Sequence, residues 1–91
     1  MRSVRTQAFK AQFLALPKRV QALASKSYGL WKENASHPSL KFKRIDDEDD
    51  LWSIRIGDHY RAVCKKRELA NESRYVWFWI GTHEEYNGLV S

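Results

Sequence analysis

The chain has one cysteine, two prolines, four glycines and, outside a single five-residue patch, few acids. With Cys64 alone, an intrachain disulfide and a cysteine-cluster metal site are both excluded. The sparse proline and glycine leave no low-complexity segment, repeat or linker, so one domain is expected over residues 1–91. No apolar run is long enough for a membrane span, and Met1-Arg2-Ser3-Val4-Arg5 leads into no signal-like core. A cytoplasmic protein without membrane partners is the expectation. Acids are nearly missing from the first half. Residues 1–45 hold ten Lys/Arg against the single acid Glu33, whereas residues 46–50 read DDEDD. Residues 51–91 balance six bases against five acids. A net charge of +5 therefore conceals a strongly basic surface with one acidic segment, and polyanions are its natural partners, nucleic acid first.

What the chain does have is aromatic residues, 13% of the total, and they concentrate in Tyr75-Val76-Trp77-Phe78-Trp79-Ile80. Six apolar residues in a row, aromatic and β-branched and stopped by Gly81, predict a central strand covered on both faces. His83, Glu84, Glu85, Tyr86 and Asn87 follow directly, so a rigid strand ends in a cluster of titratable and hydrogen-bonding groups.

The rest of the chain falls into segments around it. Ser3–Thr6 reads as a short first strand. A helix starts at Thr6 as its cap, with Ala8, Phe9, Phe13 and Leu16 on one face. Pro17 opens a second helix that runs to about Asn34, and Val20, Leu23, Ala24, Ser27, Tyr28 and Trp31 form its core-facing stripe. After a loop over residues 34–39 the period changes. Leu40–Ile45 alternates as a strand, with Leu40 and Phe42 on one face and Lys41 and Lys43 on the other. The acidic run connects it to a strand carrying Trp52, Ile54 and Ile56. That strand turns near Gly57-Asp58 and returns over His59–Lys65, and Glu68–Ser73 turns the chain into the aromatic strand. A two-residue loop would mix apolar and charged residues on both faces. A three-residue loop pairs Ile56 with Tyr60, Ile54 with Ala62 and Arg55 with Arg61, which keeps the apolar set together and puts the two arginines side by side. The expected fold class is α+β: an N-terminal helical hairpin packed on a twisted antiparallel sheet, in the order β-α-α-β-β-β-β with a short C-terminal helix.

Arg55 and Arg61, the strand with Lys41, Lys43 and Arg44, and His83 with Tyr86 would then form one cluster, with His59 as a second histidine nearby. With Leu16-Pro17, HPSLKFK at 37–43, WSIRIGDHYRAV at 52–63 and WFWIGTHEEYN at 77–87, the chain resembles the RelE/ParE superfamily of bacterial toxins from type II toxin–antitoxin modules. The resemblance covers nearly the whole chain. That superfamily contains ribosome-dependent mRNA endonucleases and gyrase inhibitors, so the resemblance implies either activity, or a degenerate member that persists as an interaction domain. It also implies a cognate antitoxin and a hetero-oligomeric complex.

The side-chain inventory favours the nuclease. Cleaving RNA without a metal needs a base for the 2′-OH, cations for the pentavalent phosphate and an acid for the departing 5′-oxygen. Histidine is the residue type that titrates near neutrality, ~6.5, and Arg55 and Arg61 suit phosphate oxygens through bidentate contacts. By the resemblance, His83 and Tyr86 match the nuclease branch's C-terminal catalytic positions, Arg61 its central-strand arginine, and Lys41 and Lys43 its basic second strand. Arg55 joins the catalytic candidates through its expected place beside Arg61, and Lys41, Lys43, Arg44 and His59 are the residues expected to contact RNA. The partners implied are ribosome and mRNA, with no metal and no cofactor. Each residue also has a plain structural reading: His83 as a helix cap, Tyr86 as packing, Arg61 paired with Glu84 or Glu85, and the lysines as solvated charge.

Overall fold

The computed structural model describes residues 2–90. Five strands form one sheet in the order β1-β5-β4-β3-β2. They are β1 Arg2–Arg5, β2 Lys43–Asp46, β3 Leu51–Ile56, β4 Tyr60–Leu69 and β5 Glu72–Thr82. Helices α1 Gln7–Leu14 and α2 Lys18–Glu33 form the hairpin, and α3 His83–Val90 follows β5. The α+β architecture is the expected one, with one refinement. β1 pairs with β5 in parallel, Ser3 opposite Tyr75 and Arg5 opposite Trp77, while the other neighbouring strands are antiparallel. Placing β1 beside β5 makes β4 the middle of the sheet. The aromatic strand is therefore interior but one place off centre.

Local chemistry explains the helical hairpin. Thr6 caps α1, its Oγ1 accepting from the Phe9 N–H at 3.1 Å. Pro17 is the N-cap residue of α2 rather than its first turn. Val20, Ala24 and Trp31 are buried along α2, whereas Ala8 and Leu23 are exposed. Both departures have the same cause, since each lies at the rim of a helix face rather than on its line of contact with the sheet. Beyond the end of β1, the Ile80 N–H of β5 has no strand beside it, and Gln12 of α1 accepts from it at 3.0 Å.

The core lies between the hairpin and one face of the sheet. It comprises Phe9, Ala24, Trp31, Leu40, Ile54, Ile56, Ala62, Cys64, Tyr75, Trp77 and Ile80. Burial raises the Cys64 thiol far above its ordinary value, which leaves it unreactive. Trp79 is half-buried on the opposite face. The bulge that pairs Val63 with Trp79 but Cys64 with Trp77 leaves Phe78 as the extra residue and separates the two tryptophans.

Two expected boundaries move. Leu40 does not open a strand. Pro38–Leu40 is a 3-10 turn closed by Lys41 in the left-handed region at φ 46°, and β2 begins only at Lys43. Likewise Glu68–Ser73 is mostly strand, because β4 and β5 run on to Leu69 and Glu72 and close through a tight turn with Ala70 at φ 47°.

Candidate functional site

The β3–β4 register decides what faces away from the core. Ser53 pairs with Val63 and with Lys43, and Arg55 pairs with Arg61, as the three-residue loop requires. Arg61 in turn lies opposite Gly81 of β5. These residues share the second face of the sheet, over which α3 folds back.

A reciprocal cap fixes the start of α3. The Glu85 N–H donates to Thr82 Oγ1 at 3.1 Å, while Glu85 Oε1 accepts from the Thr82 N–H at 2.8 Å and from its hydroxyl at 3.0 Å. This is a capping box of Thr-x-x-Glu spacing. The helix N-cap is thus Thr82, not His83. A Cβ at Gly81 would stand 2.8 Å from both Glu85 Oε1 and the Trp79 ring, so only glycine lets the cap close over the strand. The His83 N–H donates to the His59 carbonyl at 2.7 Å, which ties the helix start to the β3–β4 loop.

Those two hydrogen bonds at Thr82 hold the Glu85 carboxyl below its ordinary value of 4.5. Because the folded state releases the proton more readily than the unfolded chain, the cap's contribution is complete above about pH 4.5. It is lost as pH falls through the lowered value. Hydrogen exchange at the Thr82 amide, which donates to that carboxylate, should therefore lose protection selectively below pH 4.5, and Glu85→Gln should show no such acid step.

Between α3 and the sheet lies a cleft of about 470 Å3. Lys41, Lys43, Arg55, Arg61, His83 and Tyr86 all line it, and no acid does among the described residues. Arg61 is half-buried on its floor, where NH1 donates to the Tyr60 carbonyl at 2.7 Å. Burial first, and then the neighbouring Arg55, lower its pKa, while Tyr86 and Asp58 partly offset this. No described carboxylate pairs with Arg61. Pairing with Glu84 or Glu85 is not what the structure shows. A guanidinium held this way is a cation without a counter-ion, and a bound anion would relieve it.

Arg55 is differently placed. Its Nε donates to the Gly57 carbonyl at 2.9 Å and its NH2 pairs with Asp58. Part of its charge is committed to the turn. Tyr86 is 7% exposed and packs on Trp79, with ring centroids 6.5 Å apart. Its face is therefore unavailable to a stacking base. The hydroxyl lies 3.1 Å from Ser53 Oγ at the cleft floor. His83 stands one turn earlier on α3, exposed, its ring 6.3 Å from that of Tyr86.

The remaining candidates separate. Lys41 and Lys43 stand at the mouth of the cleft. Arg44 borders it, but its guanidinium lies over the Trp52 ring and pairs with Asp50 at 3.0 Å and Asp47 at 3.8 Å. Arg44 pairs with Trp52 across the strands, so its side chain belongs to the core side of β2. His59 lies outside the cleft, in an adjoining hollow with Tyr60, Thr82 and Glu84, and His83 forms the ridge between the two. The acidic run serves the turn: Asp46 Oδ2 accepts from the Asp49 N–H at 2.7 Å, and Asp50 also accepts from Trp52 Nε1 at 2.8 Å. No group of three His, Cys, Asp or Glu side chains that could hold a metal ion occurs among the described residues.

Two parts of the site escape the sequence reading. The capping box was available as Thr82-His83-Glu84-Glu85. Ser53 had no signal beyond its place in an alternating strand.

Lys41 offers a test of strain against function. A non-glycine residue in the left-handed region costs about 1–2 kcal/mol, and glycine removes that cost at an entropic penalty of roughly 0.5–1. Lys41→Gly should therefore melt at or slightly above the wild-type temperature. If Lys41 contacts RNA as the sequence leads one to expect, the same change should weaken that binding and reduce its log–log salt slope by about 0.7. Loss of stability without loss of binding would refute a binding role.

No helix among the described residues is long and apolar enough to cross a membrane. Residues 18–88 match the ParE-like toxin domain. No match is found among curated proteins. Among solved structures, the YoeB/ParE toxin from Agrobacterium tumefaciens superposes with a TM-score of 0.68 at 17% identity, over 91% of this chain and 99% of that one. A chain of the RelB-RelE antitoxin-toxin complex from Methanococcus jannaschii superposes with a TM-score of 0.67 at 11% identity, over 97% of this chain and 99% of that one. At such identities the two superpositions speak for the fold, and the domain match speaks for descent: the chain belongs to the ParE-like toxin domain family, within the RelE/ParE superfamily of toxins.

Proposed function

We propose that this toxin is a metal-independent endoribonuclease that cleaves mRNA on the ribosome and so arrests translation. The observation that carries this reading is Arg61, part-buried and without a carboxylate, on the floor of an acid-free cleft beside His83 and Tyr86. A pure binding surface needs positive charge. It has no need of an imidazole and a phenol converging on that charge.

The chemistry follows from the groups present. His83 accepts the proton of the 2′-OH, whose oxygen attacks the adjacent phosphorus. Arg61, with Arg55 beside it, holds the equatorial oxygens and is better matched to the pentavalent state than to the ground-state diester. The P–O5′ bond breaks, and the departing 5′-oxygen takes a proton from the Tyr86 hydroxyl. The products are a 2′,3′-cyclic phosphate and a 5′-hydroxyl end. Protons then return through solvent. Lys41 and Lys43 guide the flanking backbone into the cleft. A cognate antitoxin with an acidic or amphipathic segment holds the toxin inactive by covering this cationic face; that such a partner exists is supported by the fold neighbour from Methanococcus jannaschii, which is part of an antitoxin-toxin complex.

Inducible expression of wild type, His83→Ala and Arg61→Ala tests the reading, with mRNA 5′-end mapping and a supercoiling assay on the same cultures. Growth arrest with new ends inside translated codons, lost in both variants, supports it. Arrest with intact mRNA and altered DNA topology would replace it with gyrase inhibition. Folded protein without arrest would leave an interaction domain.

A further inference from the structure

Ser53 is buried, 2% exposed, on the sheet face that also carries Lys43, Arg55 and Arg61. It sits between Lys43 and Val63 across the strands and makes its hydrogen bond to Tyr86 on α3, 33 residues away in sequence. A valine or alanine would fill a strand position as well, so the hydroxyl needs an explanation. The Tyr86 ring is already fixed by its own burial and by Trp79. One freedom remains, rotation of the phenolic O–H about the C–O bond. The group that lies 3.1 Å from that oxygen is Ser53 Oγ.

Hydroxyl bookkeeping then narrows the arrangement. Two hydroxyls in contact share one of their two protons, and the other is left to point elsewhere. Arg61 also lies near Tyr86, and a guanidinium donates but never accepts. The positive charge therefore favours turning the phenol's lone pairs toward Arg61 and its proton away from it. That is achieved when Ser53 donates into the phenol oxygen. With Arg61 and Ser53 on the lone-pair side, the phenol proton is directed to the open cleft.

We propose that Ser53 is a positioning residue, which by donating its hydroxyl to Tyr86 aims the phenol proton into the cleft toward the leaving oxygen. This rests on the RNA-cleavage reading above and assigns Ser53 no contact with substrate. It acts on the chemical step and not on binding, because the cations that hold phosphate are untouched by it.

The experiment is a cycle of wild type, Ser53→Ala, Tyr86→Phe and the double variant, with Ser53→Cys as a volume-conserving check. Cleavage of mRNA on programmed ribosomes is followed, and melting is measured for each protein. Ser53→Ala should lower kcat by roughly 10- to 100-fold, the scale of a misaimed catalytic group, with KM within about twofold of wild type. In the Tyr86→Phe background, which has no phenol proton to aim, the same change should have no further effect. Equal loss in both backgrounds, or a loss confined to KM, would overturn the proposal and make Ser53 a packing residue. An unchanged rate in Ser53→Ala would overturn it too. A folded wild type that cleaves no mRNA removes the underlying reading and this proposal with it. A cleaving wild type with additive variants removes the role of Ser53 alone.

Discussion

Arg61→Ala is expected to reduce mRNA cleavage by about 100- to 1,000-fold, the usual cost of removing a preorganised group that stabilises transition-state charge. The same substitution should leave stability within about 1 kcal/mol of wild type, or raise it. Both expectations come from one arrangement. Arg61 donates to a backbone carbonyl and lines the cleft, but no described carboxylate depends on it. Its removal leaves no buried acid unpaired, and it relieves both the burial of the guanidinium and the repulsion from Arg55 that lower the Arg61 pKa. An arginine kept for folding would behave in the opposite way. Arg61→Lys should recover little, since an ammonium cannot span two phosphate oxygens with a planar fork. Arg55→Ala should cost less activity than Arg61→Ala, because Asp58 and the Gly57 carbonyl already occupy part of the Arg55 guanidinium. Cleavage rates on programmed ribosomes beside melting curves would decide the matter. An Arg61→Ala protein that melts as wild type and still cleaves at the wild-type rate would end the nuclease mechanism in the form given above.

The parts of this site that could be read from sequence were those governed by a repeating pattern. Only one loop length keeps Ile54, Ile56, Tyr60 and Ala62 on one face, so the pairing of Arg55 with Arg61 follows from hydrophobicity alone. The helical stripe through Val20, Ala24 and Trp31 is legible for the same reason. Where two structures satisfy one pattern, the sequence is blind. Leu40-Lys41-Phe42 alternates like a strand, yet a 3-10 turn with Lys41 left-handed also buries Leu40 and sends Phe42 into the aromatic cluster. Polar Glu68–Ser73 resembles a connection, but strands that project beyond the helices have little reason to be apolar. β1 has only Val4 as a hydrophobic signal, and its parallel pairing is dictated by the long edge that β5 offers. The same distinction holds within the site. Charged and titratable residue types announce themselves, whereas the hydroxyl of Ser53 acquires meaning only once α3 brings Tyr86 onto it.

Trp31→Ala is expected to destabilise the fold by about 3–5 kcal/mol, the range for deleting a buried aromatic side chain. For a domain of this size that is a large share of a total of roughly 5–15 kcal/mol, and at about 4–8 °C per kcal/mol the melting temperature should fall by tens of degrees. Trp31 is fully buried on α2 and contacts four rings: Tyr28 at 6.0 Å, Phe42 at 5.8 Å, Tyr75 at 5.1 Å and Trp77 at 5.0 Å. It is the point where the helical hairpin grips the sheet. Its indole N–H has no hydrogen-bond partner among the described residues. An unsatisfied buried donor costs about 1–3 kcal/mol, so Trp31→Phe removes that penalty while it loses only part of the ring surface. The phenylalanine variant should therefore lose far less stability than the alanine variant, about 2 kcal/mol or less once the two effects offset. The consequence reaches the cleft through Phe42. That ring stacks on Trp52 at 4.8 Å and meets Trp31 edge-on, and its chain neighbours are Lys41 and Lys43 at the cleft mouth. Loosening the aromatic cluster should release the two lysines before the sheet itself opens. Denaturant melts of both variants, with hydrogen exchange at residues 41–43, would check the order of events. Equal destabilisation by alanine and phenylalanine would mean that the ring retained by phenylalanine recovers no packing and that relief of the unpaired indole N–H offsets nothing, so that the core requires the indole itself.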